Sequence, residues 1–270
     1  MLPIISYGIV CANLTSDGYK FLIVQRRDTY AYIDFILGNY SLNDSWKISQ
    51  LFMEMVPNEK FRLLKYSFDD LWRDFLCEKP LEDNRKKYDQ CVSKYRRISE
   101  FIPYLVRRYP SNFRTTDWGF PKGRRHKEER YMHTAFREFF EETGIHPSMT
   151  LINRKPLIET YRGTDGKLYK TVYWLTVCND INPPSPKFIK THNAVRGYCI
   201  SDEVSDIKWV TLTEAKRYIN DKRLEILQNA IQMLNSDQDE LQRENNSEQL
   251  PNHSKNFSIN EPIIHIEVDV

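Results

Sequence analysis

The sequence predicts an α+β protein in which an all-helical segment interrupts a core of strands and helices. Runs rich in β-forming residues, bounded by turn residues, occur near the N-terminus and return after residue 116. Between residues 41 and 108, apolar residues recur instead at the spacing of amphipathic helices. With 270 residues and 40% hydrophobic content, the chain can bury one good core and a smaller second one.

The first two strands are predicted to form a hairpin. The runs ISYGIVCANL and KFLIVQRR are joined by TSDGY, which contains a turn glycine. The helical segment follows, and helical spacing is visible in WKISQLFMEMV, FDDLWRDFL and YRRISEFIPYLVRRY. We expect Pro57, Pro80 and Pro103 to break or kink these helices, because proline lacks the backbone N–H of the helical ladder.

The second half of the chain returns to mixed structure. After a glycine-marked loop, a helix is predicted over residues 129–143 and is closed by Gly144. The run LIETYRGTDGKLYKTVYWLTVCN predicts a second hairpin that turns at residues 163–166. The loop NPPSPK then leads to SDIKWVTLTEAKRYI, a strand followed by a helix from about Thr213, and a further helix runs to about Leu234.

We therefore expect a core domain made of residues 1–40 and 109–234, with a helical insert at residues 41–108. Residues 235–270 contain two Lys or Arg against eight Asp or Glu, and they are poor in aromatic residues. This composition predicts a flexible acidic tail. Its last run, IIHIEVDV, alternates like a strand, but the sequence offers no partner for it.

Charge and cysteine usage bound the setting. Residues 85–127 contain thirteen Lys or Arg against three Asp or Glu, which suggests a polyanionic partner such as RNA. No apolar run reaches eighteen residues, so we expect no membrane insertion. The N-terminus lacks the basic start of a signal peptide, and five scattered cysteines without a CxxC pair predict a reducing compartment, the cytoplasm. The sequence makes no prediction of the oligomeric state.

Three crowded carboxylates mark the candidate chemistry. Helical spacing places Glu138, Glu141 and Glu142 on one broad face, either as a solvated face with ion pairs or as a metal site. A hard cation such as Mg²⁺ would offset their mutual repulsion. The preceding PKGRR adds cationic side chains and backbone N–H groups near a helix N-terminus, where phosphate binds readily. The implied reaction is metal-assisted attack of water on a phosphoryl group. The phosphate-binding candidates are Lys122, Arg124 and Arg125.

The same stretch carries a family resemblance. Its pattern is Gly123-x5-Glu129-x7-Arg137-Glu138-Phe139-x-Glu141-Glu142-x-Gly144-Ile145, which matches every position of the Nudix box. The chain therefore resembles the Nudix hydrolases, which implies their α/β/α sandwich and hydrolysis of a nucleoside diphosphate linked to another group. The resemblance also implies Mg²⁺ or Mn²⁺ held by Glu138, Glu141, Glu142 and the Gly123 carbonyl. It further implies catalytic roles for Glu141, Glu142 and Arg137, with Glu129 in support.

Two further motifs resemble mRNA-decapping members of that family. WGFPKG precedes the box, and DEVSDIKW places Glu203 six residues before Trp209. The resemblance implies that Glu203 is an additional catalytic carboxylate, and the alternative is a polar residue that opens a strand. Over about residues 4–234, the layout is similar to decapping enzymes of large cytoplasmic DNA viruses of the asfarvirus type. This implies capped RNA as substrate, m7GDP and 5′-monophosphate RNA as products, and host shutoff in the host cytoplasm.

RNA contacts and cap contacts remain open at this point. Lys94, Arg96 and Arg97 belong to a basic cluster of the insert that is interleaved with Tyr88 and Tyr95. Such a cluster either binds RNA or forms an ordinary basic helix face. The candidates for stacking on the cap base are Trp118, Tyr30 and Tyr32, with core packing as the alternative for each.

Three functions fit these features to different degrees. The first is an RNA-cap hydrolase, and the alternative is a hydrolase of diphosphoinositol polyphosphates or dinucleoside polyphosphates, whose acidic substrates also suit a basic site. A non-catalytic RNA-binding module is the third, and the intact glutamates argue against it. The basic insert favours capped RNA, because a small substrate does not need it.

Overall fold

In the computed structural model, the described residues are 2–76, 85–145, 149–151, 155–163, 166–178 and 203–247. The strands of this part form one mixed sheet: β1 (Ile4–Thr15), β2 (Gly18–Arg26), β3 (Trp118–Gly119), β4 (Lys122–Gly123), β5 (Met149–Leu151), β6 (Leu157–Arg162), β7 (Leu168–Cys178) and β8 (Val204–Val210). The helices are α1 (Tyr30–Ile36), α2 (Ser45–Glu54), α3 (Pro57–Lys65), α4 (Phe68–Leu76), α5 (Arg85–Ile98), α6 (Ile102–Arg108), α7 (Tyr131–Thr143), α8 (Leu212–Ala215) and α9 (Asp221–Ser247). A short 3-10 helix, Ser99–Phe101, links α5 to α6.

The centre of the sheet is a parallel pair flanked by hairpins. The strand order is β3-β2-β1-β7-β5, with β1 and β7 parallel from Ile4 opposite Tyr169 to Ala12 opposite Val177. β8 pairs with β2, β6 with β7 and β4 with β1, all antiparallel. Both predicted hairpins, β1 with β2 and β6 with β7, are confirmed.

Two helices cover the two faces of this sheet. Along β1, successive side chains alternate between faces, so Ile9 packs in the cluster that contains Phe139 of α7. The next residue, Val10, packs in the opposite cluster with Leu227 of α9. Each of these side chains is fully buried, which is worth about 1.5–3 kcal/mol for a large aliphatic or aromatic residue. The result is the α/β/α sandwich that the resemblance implied.

The insert is helical, as predicted, but it begins earlier than residue 41. Its helices bury a core of their own that includes Phe52, Trp72 and Tyr95. α1 contributes Tyr32 and Phe35 to that core, so the helical unit begins at Tyr30 and the assignment of residues 1–40 to the core domain is wrong at its end. The physical reason is an aromatic packing preference, since Phe35 stacks on Tyr40 and meets Phe52 edge-on.

The prolines and the C-terminal helix also differ from expectation. Pro57 begins α3 and Pro103 lies in the first turn of α6, positions where a missing N–H costs nothing, so both start helices rather than break them. α9 continues to Ser247, so the predicted helix end near Leu234 is wrong, and the flexibility expected of residues 235–270 stays a prediction. Helix propagation is cheap once a packed segment has nucleated it. Pro80, the NPPSPK loop and IIHIEVDV lie outside the described residues. Within them, no helix combines the length and apolar character that crossing a bilayer requires.

Candidate functional site

The carboxylate helix α7 is placed by its apolar face and by its end. Phe139 is fully buried against the sheet, and α7 also contacts β4, the short strand that contains Gly123. The helix begins at Tyr131, two residues later than predicted, and it ends at Gly144 as predicted. Gly144 adopts φ 69°, a left-handed conformation that glycine takes without cost, and its N–H donates to the Phe140 carbonyl at 2.7 Å.

Two carboxylates of α7 pack against the backbone of β4. A Cβ placed on Gly123 would lie 2.0 Å from both Cδ and Oε2 of Glu138, so only glycine leaves room for that carboxylate. Glu142 is 8% exposed, and its Oε2 accepts from the backbone N–H of Lys122 at 3.1 Å. The pairing of β4 with β1 holds these backbone atoms in place.

The guanidinium of Arg137 contacts three carboxylates, those of Glu129, Glu138 and Glu141. Arg137 donates from Nε to Glu129 Oε1 at 2.8 Å and from Nη1 to Glu141 Oε2 at 2.8 Å, and its Nη2 lies 2.9 Å from Glu138 Oε1. Glu129 also accepts from Thr134 Oγ1 at 2.9 Å. The hydrogen bond from Arg137 is the largest reason why the pKa of Glu129 falls to about 2. The predicted supporting pair, Arg137 and Glu129, is therefore in contact.

Crowding of charge shows in the pKa values of the site. Burial raises the pKa of Glu142 to about 8; Lys122 opposes this, and the charges of Glu138 and Glu203 add to it. Burial also raises the pKa of Glu138, against the effect of Arg137 and with contributions from Glu141 and Glu203. A carboxylate with a raised pKa near neutrality can accept a proton or be stabilised by a cation.

The additional candidate carboxylate, Glu203, lies outside α7, next to the strand β8. It directly precedes β8, which pairs with β2, and its carbonyl accepts from the Arg27 N–H at 2.7 Å. Its side chain is exposed, and its charge acts on both Glu138 and Glu142. The catalytic role of Glu203 that the decapping motif implies stays a prediction.

The candidate metal ligands have the type of donor atom that a hard cation requires, but their side chains do not surround a common point in this structure. Among the described residues, no three His, Cys, Asp or Glu side chains surround a common point that could hold a metal ion. Arg137 accounts for part of this, because it engages Glu138 and Glu141. The available donors are carboxylate and carbonyl oxygens, the type that Mg²⁺ and Mn²⁺ prefer. Glu138, Glu141, Glu142 and Gly123 remain the candidate ligands on that basis.

The phosphate candidates lie in β4 and in the loop after it, beside the α7 carboxylates. Burial lowers the pKa of Lys122, but Tyr30 and Glu142 outweigh it, so the pKa of Lys122 is raised and its ammonium stays charged. Arg124 and Arg125 are exposed, and Arg125 lies over the Tyr131 ring at 5.3 Å from its centroid. His126 and His133 are exposed as well.

The cap candidates divide into two groups. Trp118 is 6% exposed and packs on Tyr218, and Tyr32 is fully buried in the insert core. Core packing therefore accounts for both, and we do not retain them as cap-binding residues. Tyr30 is 55% exposed, and the Arg26 guanidinium lies 4.2 Å from its ring centroid.

The insert candidates divide in the same way. Lys94 donates to the carbonyls of Gly38 and Tyr40, both at 2.7 Å, so it serves the fold of the insert rather than a free phosphate-binding face. Tyr95 is buried in the same core, whereas Arg96 and Arg97 are exposed.

Sequence reasoning missed two sets of residues. Phe101 and Tyr104 are 59% and 55% exposed beside the exposed Arg107 and Arg108, and helical spacing alone did not show which aromatic rings face solvent. The buried Arg223 of α9 was also missed. It donates to Asp117 at 2.8 Å and to Glu159 at 3.1 Å, which fixes the segment that leads into β4.

Comparisons with known proteins give the following similarities. Residues 104–230 match the family described as NUDIX domain. An Acanthamoeba polyphaga mimivirus protein named "Putative mRNA-decapping protein" is 31% identical over 233 residues, which are 76% of this chain and 62% of that protein. The chain thus spans less than two thirds of the length of this relative. The "mRNA-decapping protein g5R" of African swine fever virus (isolate Pig/Kenya/KEN-50/1950) is 27% identical over 80% of this chain and 87% of its own length. A solved C. elegans Ap4A hydrolase aligns with 86% of this chain and 98% of its own, at 14% identity and a TM-score of 0.45.

Proposed function

We propose that this chain removes the 5′ cap of RNA, because residues 104–230 match the NUDIX domain family and the chain is similar to viral proteins named as mRNA-decapping proteins. Water attacks phosphorus, the P–O bond between the α and β phosphates breaks, and the products are m7GDP and 5′-monophosphate RNA. Mg²⁺ or Mn²⁺ is the proposed cofactor. The setting that we propose is the cytoplasm of a virus-infected cell, with host shutoff as the consequence.

The packing of Glu138 and Glu142 against the backbone of β4 is the observation that supports this proposal most. Glu138 fills the space beside Gly123, Glu142 is buried against Lys122, and the charge of Glu203 acts on both. Burial of Glu138 and Glu142 on neighbouring turns costs desolvation energy, which raises the pKa of each. Carboxylates in such a setting beside a basic loop suit cation-assisted phosphoryl chemistry.

The residues of the chain have separate tasks in the proposed reaction. Glu138, Glu141, Glu142 and Gly123 would hold the metal ion, which when bound supplies Lewis-acid stabilisation of phosphate charge. Glu142 and Glu203 are the candidates for accepting the proton of the attacking water, and the raised pKa of Glu142 favours it. Arg137 keeps Glu129 and Glu141 in place.

Cationic side chains beside the carboxylates would bind the triphosphate bridge of the cap. Lys122 is charged beside Glu142, and the exposed Arg124 and Arg125 extend the positive surface away from it. A positively charged surface raises the local concentration of a polyanionic substrate. Tyr30, whose exposed ring lies near Lys122 and Arg26, is the remaining candidate for stacking on a base.

We propose that the insert binds the RNA body through a surface on its last helices. This basic-aromatic surface consists of Arg96, Arg97, Phe101, Tyr104, Arg107 and Arg108, all of which are exposed. Arginines neutralise phosphates, and exposed rings stack on unpaired bases. The surface replaces Lys94, Tyr88 and Tyr95 in our assignment, because those side chains pack within the insert.

The direct test is product analysis. RNA carrying a cap label is incubated with the protein and Mg²⁺ or Mn²⁺, and the released nucleotide is identified by chromatography or mass spectrometry. We expect m7GDP and RNA with a 5′-monophosphate, and no turnover in excess EDTA. Release of m7GMP, or release that does not depend on the metal, would contradict the proposed reaction.

The alternative substrates share the polyphosphate chemistry of the site. Diphosphoinositol polyphosphates and dinucleoside polyphosphates would contact the same exposed Arg124 and Arg125 without needing the insert. Assays with each compound should run beside the capped RNA. A higher kcat/KM on either small substrate than on capped RNA would make that compound the better candidate.

A further inference from the structure

The point where the chain leaves the sheet for the insert also touches the candidate site. We call residues 26–29 the junction. The Arg27 N–H donates to the Glu203 carbonyl at 2.7 Å, and Ser205 Oγ donates to the Arg26 carbonyl at 3.1 Å. The register between β2 and β8 shifts at this point, between Gln25 and Arg26. The start of β8, and with it the backbone of Glu203, is therefore set by the junction.

A buried carboxylate within the junction is held from the insert. Asp28 is 4% exposed and accepts from Arg27 Nε at 2.9 Å on one oxygen. Its other oxygen accepts from Arg62 of α3, which also donates to Asp74 at 2.8 Å. A buried carboxylate between two guanidiniums is fixed in direction by charge-assisted hydrogen bonds, and loss of either partner leaves a charge poorly compensated.

α3 holds the junction through a second carboxylate as well. Glu59 is 1% exposed and accepts from the backbone N–H of Thr29 at 2.6 Å and from its hydroxyl at 2.8 Å. It also accepts from the Val56 N–H at 2.9 Å, so it caps its own helix and grips the junction with one side chain. α3 is thus attached to the junction on both sides of the peptide between Asp28 and Thr29.

We propose that Asp28 is a positioning residue that couples the insert to Glu203. Arg62 and Arg27 fix Asp28, this orients the Arg27 peptide, and the N–H of that peptide holds the Glu203 backbone. The inference rests on the proposed catalytic role of Glu203. Its consequence is that the insert supports catalysis itself, even on a substrate too short to reach the RNA-binding surface of the insert.

The test uses the full-length protein and the cap dinucleotide m7GpppG with Mg²⁺. Residues that act through a ligand or catalytic group typically change activity 10–100-fold, so Asp28→Asn should lower kcat by about tenfold or more. KM should stay within about twofold, because the phosphate-binding cations are untouched. The matched control is Asp89→Asn, which removes an exposed carboxylate paired with Arg85 in the same insert and should leave kcat unchanged.

A double variant separates positioning from a general effect on folding. In the Glu203→Gln background, Asp28→Asn should cause no further fall in kcat, because groups that act through one another are not additive. Multiplicative losses would overturn the inference, as would full activity of Asp28→Asn. If Asp28→Asn does not fold, Arg62→Lys repeats the test with the charge kept and the forked geometry lost. If Glu203→Gln keeps full kcat, the proposed role of Glu203 fails and the inference fails with it. If Glu203→Gln lowers kcat and Asp28→Asn lowers it by a further independent factor, the inference alone is overturned.

Discussion

Glu138 occupies the space that a side chain on residue 123 would need. A methyl group on Gly123 would lie 2.0 Å from its carboxylate, so Gly123→Ala must push that carboxylate away. Displacement of a catalytic group by about 1 Å can cost about 100-fold, and we expect a loss of this size in kcat on m7GpppG. The measurement is steady-state kinetics, with circular dichroism to show that the variant folds. An active Gly123→Ala enzyme would mean that Glu138 does not need its present position.

The buried carboxyl of Glu142 predicts opposite effects on activity and stability. Glu142→Gln should lower metal-dependent turnover at least 100-fold and leave RNA affinity unchanged, because the proposed RNA-binding surface lies on the insert. Without metal the variant should be the more stable protein at pH 8. The folded-state pKa is raised from 4.5 to about 8, so wild-type stability falls as pH rises through this window and Gln avoids the loss.

Thermal unfolding in EDTA measures the second effect of Glu142→Gln. The difference in midpoint between variant and wild type should be largest at pH 8 and should shrink toward pH 4. A difference that does not change with pH would show that the carboxyl is not destabilised by burial. Glu225→Gln, on α9, provides a charge-matched control that should not alter turnover.

Among the single elements, α7 depends on the contact between Glu129 and Arg137. The pKa of Glu129 is lowered from 4.5 to about 2, chiefly by Arg137, so the folded state is favoured above pH 4.5. This contribution disappears as pH falls from 4.5 to 2. Glu129→Gln should therefore have a lower unfolding midpoint than wild type at pH 7, and the two should converge at low pH. The variant of the exposed neighbour, Glu128→Gln, should have the unfolding midpoint of wild type at every pH. If both variants show the same pH-dependent loss of stability, or if neither does, the assignment is contradicted.

α6 carries the proposed RNA contacts that are simplest to test. Arg107→Ala combined with Arg108→Ala removes two exposed cations. For single-stranded RNA, each phosphate contact contributes about 0.7 to the slope of log affinity against log salt, so the slope should fall by about 1.4. Fluorescence anisotropy with labelled uncapped RNA at several salt concentrations gives the slope. The adjacent exposed pair Lys216 and Arg217 of the core domain is the matched control, and an equal fall there would mean non-specific charge binding.

The sequence was sufficient for the parts of the molecule whose signals are local. The carboxylates of α7 share one helix, so their spacing alone predicted a common face, and Gly144 marked the end of that helix. The pairing of Arg223 could not be predicted in this way, because its partners Glu159 and Asp117 lie 64 and 106 residues away. Only tertiary packing shows that such an arginine is buried.

The insert shows the same division between local and long-range information. Helical periodicity predicted that residues 41–108 form helices, but it did not show that α1 packs with them. It also did not show which aromatic side chains face solvent. Tyr95 and Tyr104 both occur in basic helical stretches, yet one is 8% exposed and the other 55%. Burial of one face over another depends on neighbours that are distant in sequence, and it determines which rings are exposed for the proposed contacts with RNA.

Across the whole molecule, the insert is an excursion between two neighbouring strands. Gln25 of β2 pairs with Trp118 of β3, and the Arg26 N–H donates to the Asp117 carbonyl at 3.0 Å. The ends of the insert are therefore adjacent, and its hydrophobic core is separate from the two cores of the sandwich. A protein in which a short glycine-rich turn replaces residues 31–114 should fold, and it keeps Tyr30, the candidate for stacking on a base.

This deletion distinguishes an RNA platform from a structural support. The loss of Arg62 should lower kcat on m7GpppG about tenfold, by the coupling proposed for Asp28. The value of kcat/KM on long capped RNA should fall by a larger factor than the value of kcat/KM on m7GpppG, because the basic-aromatic surface is also lost. Both substrates are assayed with the same enzyme preparations, and unfolding midpoints confirm that the core domain is intact. An equal fall for both substrates would show that the insert supports the site without binding RNA, and an unchanged kcat on m7GpppG would show that it binds RNA without supporting the site.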